Sequence, residues 1–498
     1  MTIYDDYLNY TEEYKKIYGE KTIVLMQVGS FFECYALVDS NDNKKYFGSE
    51  INFFSQTCDM TISKKSACSC KGYDVVMAGF GTAQIEKYIK KLQDHGYTIV
   101  VFTQDVQAKN TSRSLYGIFS PGTYFGNEND ERLSNNITCI WLHYVKNDFI
   151  TKRENITIGI GNIDILTGKT SINEFSHDYF NNPTTFDQLE KYIAIYKPSE
   201  VIIISNMSKE SDIFEHVISY TNIQSSKIHK VFINQNSDSN ETEREKKKII
   251  TSTNFNDLNK ELFSLASYAK NCEKQNYQEA IINKFYNNSE YNKDFYNYSI
   301  ASQAFCFLLD FVNNHNPNLV KNISYPIFEN YSEKLVLANH SLKQLNIISD
   351  ERYSGKFSCL LNLLNNNITN IGKRKFNYEL LNPITNIEKL NDYYDVTEFL
   401  LKDENYEFIR QQLNSIKDIE KFQRKLLLNK VSPKDFCVLY ENLNETKNIY
   451  NSELFNVNYH NNFLSIYLNK YVPFYNNLIN FIDNINEFIE QNFNIEKA

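Results

Sequence analysis

The chain has 498 residues, room for about three domains at ~150 residues each, and 42% of its residues are hydrophobic, so sizeable cores can form. Its 52 Lys and Arg stand against 61 Asp and Glu for a net charge of −9, which excludes a global basic footprint for nucleic acid and leaves only local patches for such binding. Nine scattered cysteines point to reduced thiols rather than a disulfide scaffold, the acidic start lacks the basic stretch of a signal peptide, and no apolar run reaches the ~18 residues of a membrane span.

Tyr4, Tyr7, Leu8, Tyr14, Ile17 and Tyr18 recur at helical intervals and predict a short amphipathic helix over 1–18. Residues 22–28 predict a strand that stops at Gly29, and Val75-Val76-Met77-Ala78 is a second apolar run that stops at Gly79. Ile85, Tyr88, Ile89 and Leu92 share one face of a helix over 82–94, with Gly96 placed as its terminating glycine. A buried strand over 97–102 follows, and Ser120-Pro121-Gly122-Thr123 marks a closing turn.

A second α/β unit has strands near 137–144 and 156–166, a helix from Leu189 to Tyr196 ended by Pro198, and a short buried strand over 200–204. Residues 234–248 are polar and without period, so they are expected to be a solvated loop or linker. Beyond about 250 glycine nearly vanishes, and long 3.6-period stretches such as 299–313 and 461–494 predict a mainly helical remainder.

Phe31 and Glu33 follow immediately on the apolar run and its glycine. In an extended segment residues i and i+2 point the same way. A rigid strand would then aim a flat apolar wedge and a hydrogen-bond acceptor at one target, a combination that suits a DNA base step that is pried apart and inspected. Core packing at a strand end is the other reading of Phe-Phe-Glu-Cys-Tyr.

The text around this pair, Gly29-Ser30-Phe31-Phe32-Glu33, then Met77-Ala78-Gly79, Gly96-Tyr97, Thr103-Gln104 and Pro121-Gly122-Thr123, resembles in order the opening domain of MutS-family mismatch-repair proteins. Cys58 to Lys64 is similar to a strand of that domain. Asn162-Ile163-Asp164-Ile165-Leu166-Thr167-Gly168 and Lys197-Pro198-Ser199-Glu200-Val201-Ile202 resemble the family's connector domain. Gly355 to Leu361, Thr369 to Arg374, Leu381 to Ile384, Ile416 to Arg424 and Ser432 to Asp435 are similar to its core domain.

The resemblance implies a multidomain fold, α/β followed by mainly α. A mixed-sheet mismatch-binding domain would occupy 1–125, a ribonuclease-H-like α/β connector 126–248, and a long-helix core and lever domain 249–498. It implies binding of mispaired double-stranded DNA, with Phe31 wedging at the mispair and Glu33 hydrogen-bonding the displaced base. It also implies a dimer or an ATPase-bearing partner, no membrane, and an intracellular place, cytoplasmic or nuclear. Lys64, Lys65 and Lys71, in a Ser/Cys/Gly-rich stretch read as a loop, are candidates for backbone phosphate contacts or are ordinary surface residues. Lys373-Arg374-Lys375 after Gly372 reads as a solvated basic face on a closely packed helix.

Other chemistry is not expected. Leu166-Thr167-Gly168-Lys169-Thr170 imitates the tail of a phosphate-binding loop, but Ile163 stands where that motif needs its first glycine, so a hairpin turn is the better reading. No nucleotide site, and hence no catalytic residue, is expected; ATP and magnesium would enter only through an ATPase domain supplied elsewhere. Cys58, Cys68 and Cys70 lack the spacing of a zinc site, and Asp164 lacks the carboxylate partners of a nuclease.

Ser30 stands where the family often has an acidic residue, Phe80-Gly81-Thr82-Ala83 replaces the family's Val-Pro-Tyr-His text, and Asn346 replaces a usual Glu. A binder of branched or damaged DNA is the alternative that these departures keep open. A further alternative is the front part of a dimeric MutS ATPase.

Overall fold

The apolar run that ends at Gly29 is strand β1 (Thr22–Val28), and it turns straight back into β2 (Phe31–Asp39). Ile23, Val24, Leu25 and Met26 are all buried, as a strand covered on both faces requires. Helix α1 (Ile3–Tyr18) covers this hairpin, and its Tyr7 hydroxyl donates to the Val24 carbonyl at 3.1 Å. The chain continues through β3 (Asp42–Phe47), α2 (Ile51–Cys58), β4 (Ser63–Cys70), β5 (Tyr73–Gly81), α3 (Ile85–Gln93), β6 (Thr98–Gln104) and β7 (Arg113–Phe119). These strands form one sheet in the order β4-β5-β2-β1-β6-β7, with β3 beside the far end of β2. The β1–β6 pair is parallel and the others are antiparallel, so the sheet is mixed as the sequence predicts.

The structure is a computed structural model that describes residues 3–39, 42–70, 72–104, 113–125, 132–146, 153–207, 212–233, 265–286, 294–329, 334–335, 339–349, 355–402, 405–452, 455, 463–472 and 477–493. Lys71 and the polar stretch 234–248 therefore lie outside the described residues. The chain divides into two compact units, Met1–Glu329 and Asn330–Ala498.

Within the first unit a second sheet opens with the antiparallel strands β8 (Asn136–Val145), β9 (Asn155–Asp164) and β10 (Thr170–Asp178). Helix α4 (Asp187–Tyr196) returns the chain to β11 (Glu200–Ser205), parallel to β8, and α5 (Ile213–Tyr220) leads to β12 (Lys227–Phe232), parallel to β11. The short β13 (Ile327–Phe328) closes the far edge beside β10. After α6 (Leu265–Cys272) and α7 (Gln275–Tyr286), helix α8 (Ser299–His315) lies against β8 and β9 and is buried along nearly its whole length. Gly159 and Gly161 of β9 permit this approach: a Cβ on them would stand 2.3 Å from the Ala301 nitrogen and 2.8 Å from the Phe305 Cα. The Glu174 carboxylate on β10 accepts from the backbone nitrogens of Ile300 and Ala301 and so satisfies the first turn of α8.

The boundary expected at 248/249 differs from the division between compact units. Helix α8 is apolar nearly all round, and such a helix has to be enclosed; the sheet of the first unit encloses it, so that unit extends to Glu329. Its periodicity was legible, but the body that covers it was not. The long period over 461–494 resolves into two helices, Phe463–Tyr471 and Leu478–Asn492, with Pro473 between them in the sequence.

The second unit is helical. Arg374, read as part of a solvated face, is instead enclosed: its guanidinium makes two bonds of 2.7 Å to the two oxygens of Asp418 and two, of 2.6 and 3.1 Å, to Glu420 Oε2. Burial lowers the Arg374 pKa, but these carboxylates outweigh it and raise it above its usual value. Asp418 also caps the helix Ile419–Leu427 through the Lys421 nitrogen. Gly372 serves its own capping loop rather than a neighbouring helix, since a Cβ there would meet Thr369 Oγ1 at 3.0 Å. Asn346 has φ +52°, a left-handed conformation that Asn tolerates better than Glu.

Candidate nucleic-acid interface

Two residues, Gly29 and Ser30, join β1 to β2, with Val28 paired to Phe31. Gly29 has φ +60° while Ser30 stays out of the positive region, the pattern of a type II′ hairpin turn. The tip is fastened from two sides. Gly29 N donates to Gln104 Oε1 at 3.2 Å, Gln104 N to Gln27 Oε1 at 3.1 Å, and Gln27 Nε2 back to the Gly29 carbonyl at 3.1 Å. Arg113 Nε donates to the Gln27 carbonyl at 2.8 Å, and beyond β5 the Thr82 nitrogen donates to the Ser30 carbonyl at 2.9 Å.

On this anchored backbone Phe31 is 51% exposed, whereas its neighbour Phe32 is buried. Gly81 is the register partner of Phe31 and adds no side chain beside the ring. Gly81, within the stretch that departs from the family text, thus leaves that side of the tip open.

Glu33 follows two residues later but does not stand out beside Phe31. It is 5% exposed, and its Oε2 accepts from the Tyr35 hydroxyl at 2.5 Å and from Lys65 Nζ at 2.8 Å. Gly79 lies opposite it, and a Cβ there would be 2.6 Å from the Phe32 carbonyl oxygen and 3.2 Å from Glu33 Cγ. Burial and the hydrogen bond to Glu33 both push the Tyr35 hydroxyl pKa well up, so it remains a donor.

The stretch expected to be a loop is strand β4, paired with β5, so Lys64 and Lys65 sit on a sheet edge. Its polar composition hides it from an apolar pattern, and backbone pairing with β5 carries it. Lys64 makes an exposed ion pair with Asp74 at 3.3 Å, and Lys65 pairs with Glu33. Sequence reasoning missed Gln27, Thr82 and Arg113, which mount the tip. A polar Gln27 near the end of an otherwise apolar strand was the available signal.

A second polar cluster lies between the two sheets. Glu200, wholly buried at the start of β11, accepts from Ser120 Oγ at 2.5 Å and Gly122 N at 2.9 Å, and its other oxygen meets His229 Nε2 at 2.6 Å. Burial would raise its pKa; the hydrogen bond and charge of His229, with the charges of His315 and Lys227, outweigh that and hold it down to about 2. Burial lowers the Lys227 pKa to about 8, partly offset by Glu200, and its ammonium donates to Thr98 Oγ1. The turn Ser120–Thr123 is thereby locked to the second sheet.

The Gly168-Lys169-Thr170 text is a hairpin turn: Gly168 has φ +73° and its nitrogen donates to the Asp164 carbonyl. Asp164 spends its carboxylate on Asn135 N, Leu166 N and Thr167 Oγ1. These residues do not fit a nucleotide phosphate. Among the described residues no group of three or more His, Cys, Asp or Glu is placed to hold a metal ion, and no helix is long and apolar enough to cross a membrane.

A mixed sheet that presents a half-exposed ring on a braced hairpin, a second sheet joined to it by a buried polar cluster, and a separate helical unit define a modular protein. Residues 9–128 match the family model of MutS domain I, and residues 340–494 that of MutS domain III. A MutS homologue of Acanthamoeba polyphaga mimivirus, named as a DNA mismatch repair protein, is 27% identical over 90% of this chain and 39% of its own length. A mitochondrial DNA mismatch repair MutS homologue of Sarcophyton glaucum is 25% identical over 84% of this chain and 42% of its own. The DNA mismatch repair protein MutS of Fusobacterium nucleatum is 22% identical over 88% and 42%. The chain belongs to the MutS family. It spans about two fifths of the length of these curated relatives.

Proposed function

We propose that this chain binds mispaired double-stranded DNA, with Phe31 as the wedge. The observation that carries this reading is the half-exposed Phe31 ring on a turn fastened by Gln27, Gln104 and Thr82. A wedge works only if its backbone does not yield when it meets a base stack. Unstacking costs a few kcal/mol per step, and a mispair lowers that cost. Selectivity then comes largely from the cheaper kinking of mispaired DNA, and Glu33 supplies an acceptor for the displaced base.

The second sheet, three antiparallel strands followed by two parallel to the first, supports a ribonuclease-H-like connector. The helical second unit supports the core and lever assignment. Any use of ATP and magnesium would fall to a segment or partner outside these 498 residues, which hold no phosphate-binding loop motif. In this reading the chain acts inside the cell as a DNA-binding part of a dimer or of an assembly with an ATPase-bearing partner.

Fluorescence anisotropy with labelled G·T and fully paired duplexes tests the proposal. The wild type should prefer the G·T duplex, and Phe31→Ala should abolish that preference. Preference retained by Phe31→Ala overturns the wedge. Tighter binding to a four-way junction than to the G·T duplex overturns the mismatch reading in favour of branched DNA.

A further inference from the structure

Glu33 is an odd acceptor for an incoming base, because its charge is already taken. Two donors, Tyr35 and Lys65, converge on Oε2, while no hydrogen bond reaches Oε1 among the described residues. Lys65 comes from the edge strand β4, two strands away, with its Nζ 5.6 Å from the centre of the Tyr35 ring. The intervening strand carries Gly79 opposite Glu33, which leaves room for the carboxylate. The two partners differ in access: the Lys65 side chain is 30% exposed and that of Glu33 only 6%.

A flexible, strongly hydrated ammonium at a sheet edge can exchange one anion for another. A buried carboxylate left without a counter-charge is costly, and it repels nearby phosphates. Resting on the mismatch reading above, we propose that Lys65 is a specificity-determining counter-ion. It stays on Glu33 against paired DNA, and it moves to a backbone phosphate only when a mispaired base gives Glu33 a new hydrogen-bond donor. Phosphate contact and base inspection become one linked event. Paired DNA offers the phosphate but no donor, so the exchange does not occur there.

The exchange predicts a difference in salt dependence between the two duplexes. Each phosphate neutralised steepens the fall of log K with log salt by about 0.9. We would titrate the full 498-residue chain with G·T and paired duplexes at a series of salt concentrations from about 50 to 200 mM. In the wild type the G·T slope should be steeper than the paired slope by about 0.9, that is, by one phosphate.

Lys65→Met should erase that difference and weaken paired DNA more than G·T DNA, because Glu33 then faces phosphates uncovered. Glu33→Gln should release Lys65 and steepen the paired slope to meet the G·T slope. Lys65→Arg should keep the difference. Equal slopes in the wild type, or a difference that survives in Lys65→Met, overturn the exchange while Phe31→Ala still reports the wedge. A wild-type chain with no G·T preference overturns the mismatch reading itself, and the exchange with it.

Discussion

Phe31 and Glu200 break the ordinary rule of burial in opposite directions. One is a large apolar ring left half in water at a hairpin tip, and the other is a carboxylate with no solvent exposure between two sheets. Their surroundings show why the breaches mean different things. Around Phe31 the backbone is satisfied and the ring itself is unpartnered on the Gly81 side. Around Glu200 three bonds are directed at the side chain itself, from Ser120, Gly122 and His229. An exposed apolar group on a braced mount is, in the proposed reading, free to meet a ligand, whereas a buried charge with three partners serves the fold.

The sharpest way to break this contrast is to remove each side chain and compare what fails. Glu200→Ala leaves His229, Ser120 and the Gly122 nitrogen buried without their acceptor, a loss of about 3–5 kcal/mol of stability. Denaturant unfolding should show it as a lower midpoint. Phe31→Ala touches no core, so its effect on the same curve should stay within about 0.5 kcal/mol. A comparable midpoint shift for the two variants would return Phe31 to the role of core packing.

The polar junction should also give the chain a dependence on acid. His315 lies near Glu200, His229 and Lys227, with its ring edge-on to Tyr18 and its Nδ1 donating to the Phe311 carbonyl at 2.8 Å. Its Nε2 is buried without a hydrogen-bond partner among the described residues. Burial lowers the His315 pKa from its ordinary 6.5 to about 4, only partly offset by Glu200. The unfolded chain therefore takes up a proton between those values that the folded chain refuses, and stability falls as pH drops from about 6.5 towards 4. Glu200 adds to the loss only lower, from about 4.5 towards 2. Unfolding midpoints measured at pH 7, 6, 5 and 4 check the slope, and His315→Phe, which keeps a ring but cannot titrate, should flatten it.

These contrasts bear on what could be read from residues alone. Strand β1 and helix α8 were legible because a continuous apolar run and a 3.6 period announce themselves. Strand β7 was not: it lies on the sheet edge, with Leu115 and Tyr116 exposed, so burial leaves no alternation in it. That Phe31 opens a strand directly after the glycine that ends β1 was legible from order and spacing. The state of Glu33 was not, because its counter-ion lies 32 residues away on a strand that reads as a loop. The bond from Ser120 to Glu200 spans 80 residues, a pairing that only the folded sheets bring about.

The smallest expected effect is the most direct test of the mount. Gln104→Met removes the acceptor for Gly29 N but keeps the length of the side chain and leaves the β6 backbone pairing in place. One hydrogen bond at an exposed site contributes about 1 kcal/mol at most, so the unfolding midpoint should barely move. The turn, however, loses one of its two side-chain restraints on the β6 side and keeps Gln27 on the Gly29 carbonyl and Thr82 on the other flank. A ring on a looser turn can fold away from the base stack instead of parting it. The G·T preference should therefore fall several-fold while affinity for paired DNA, which does not use the wedge, stays the same. If both affinities fall together, Gln104 supports the sheet and not the ring, and the stiffness of the tip would no longer distinguish Phe31 from any other exposed aromatic.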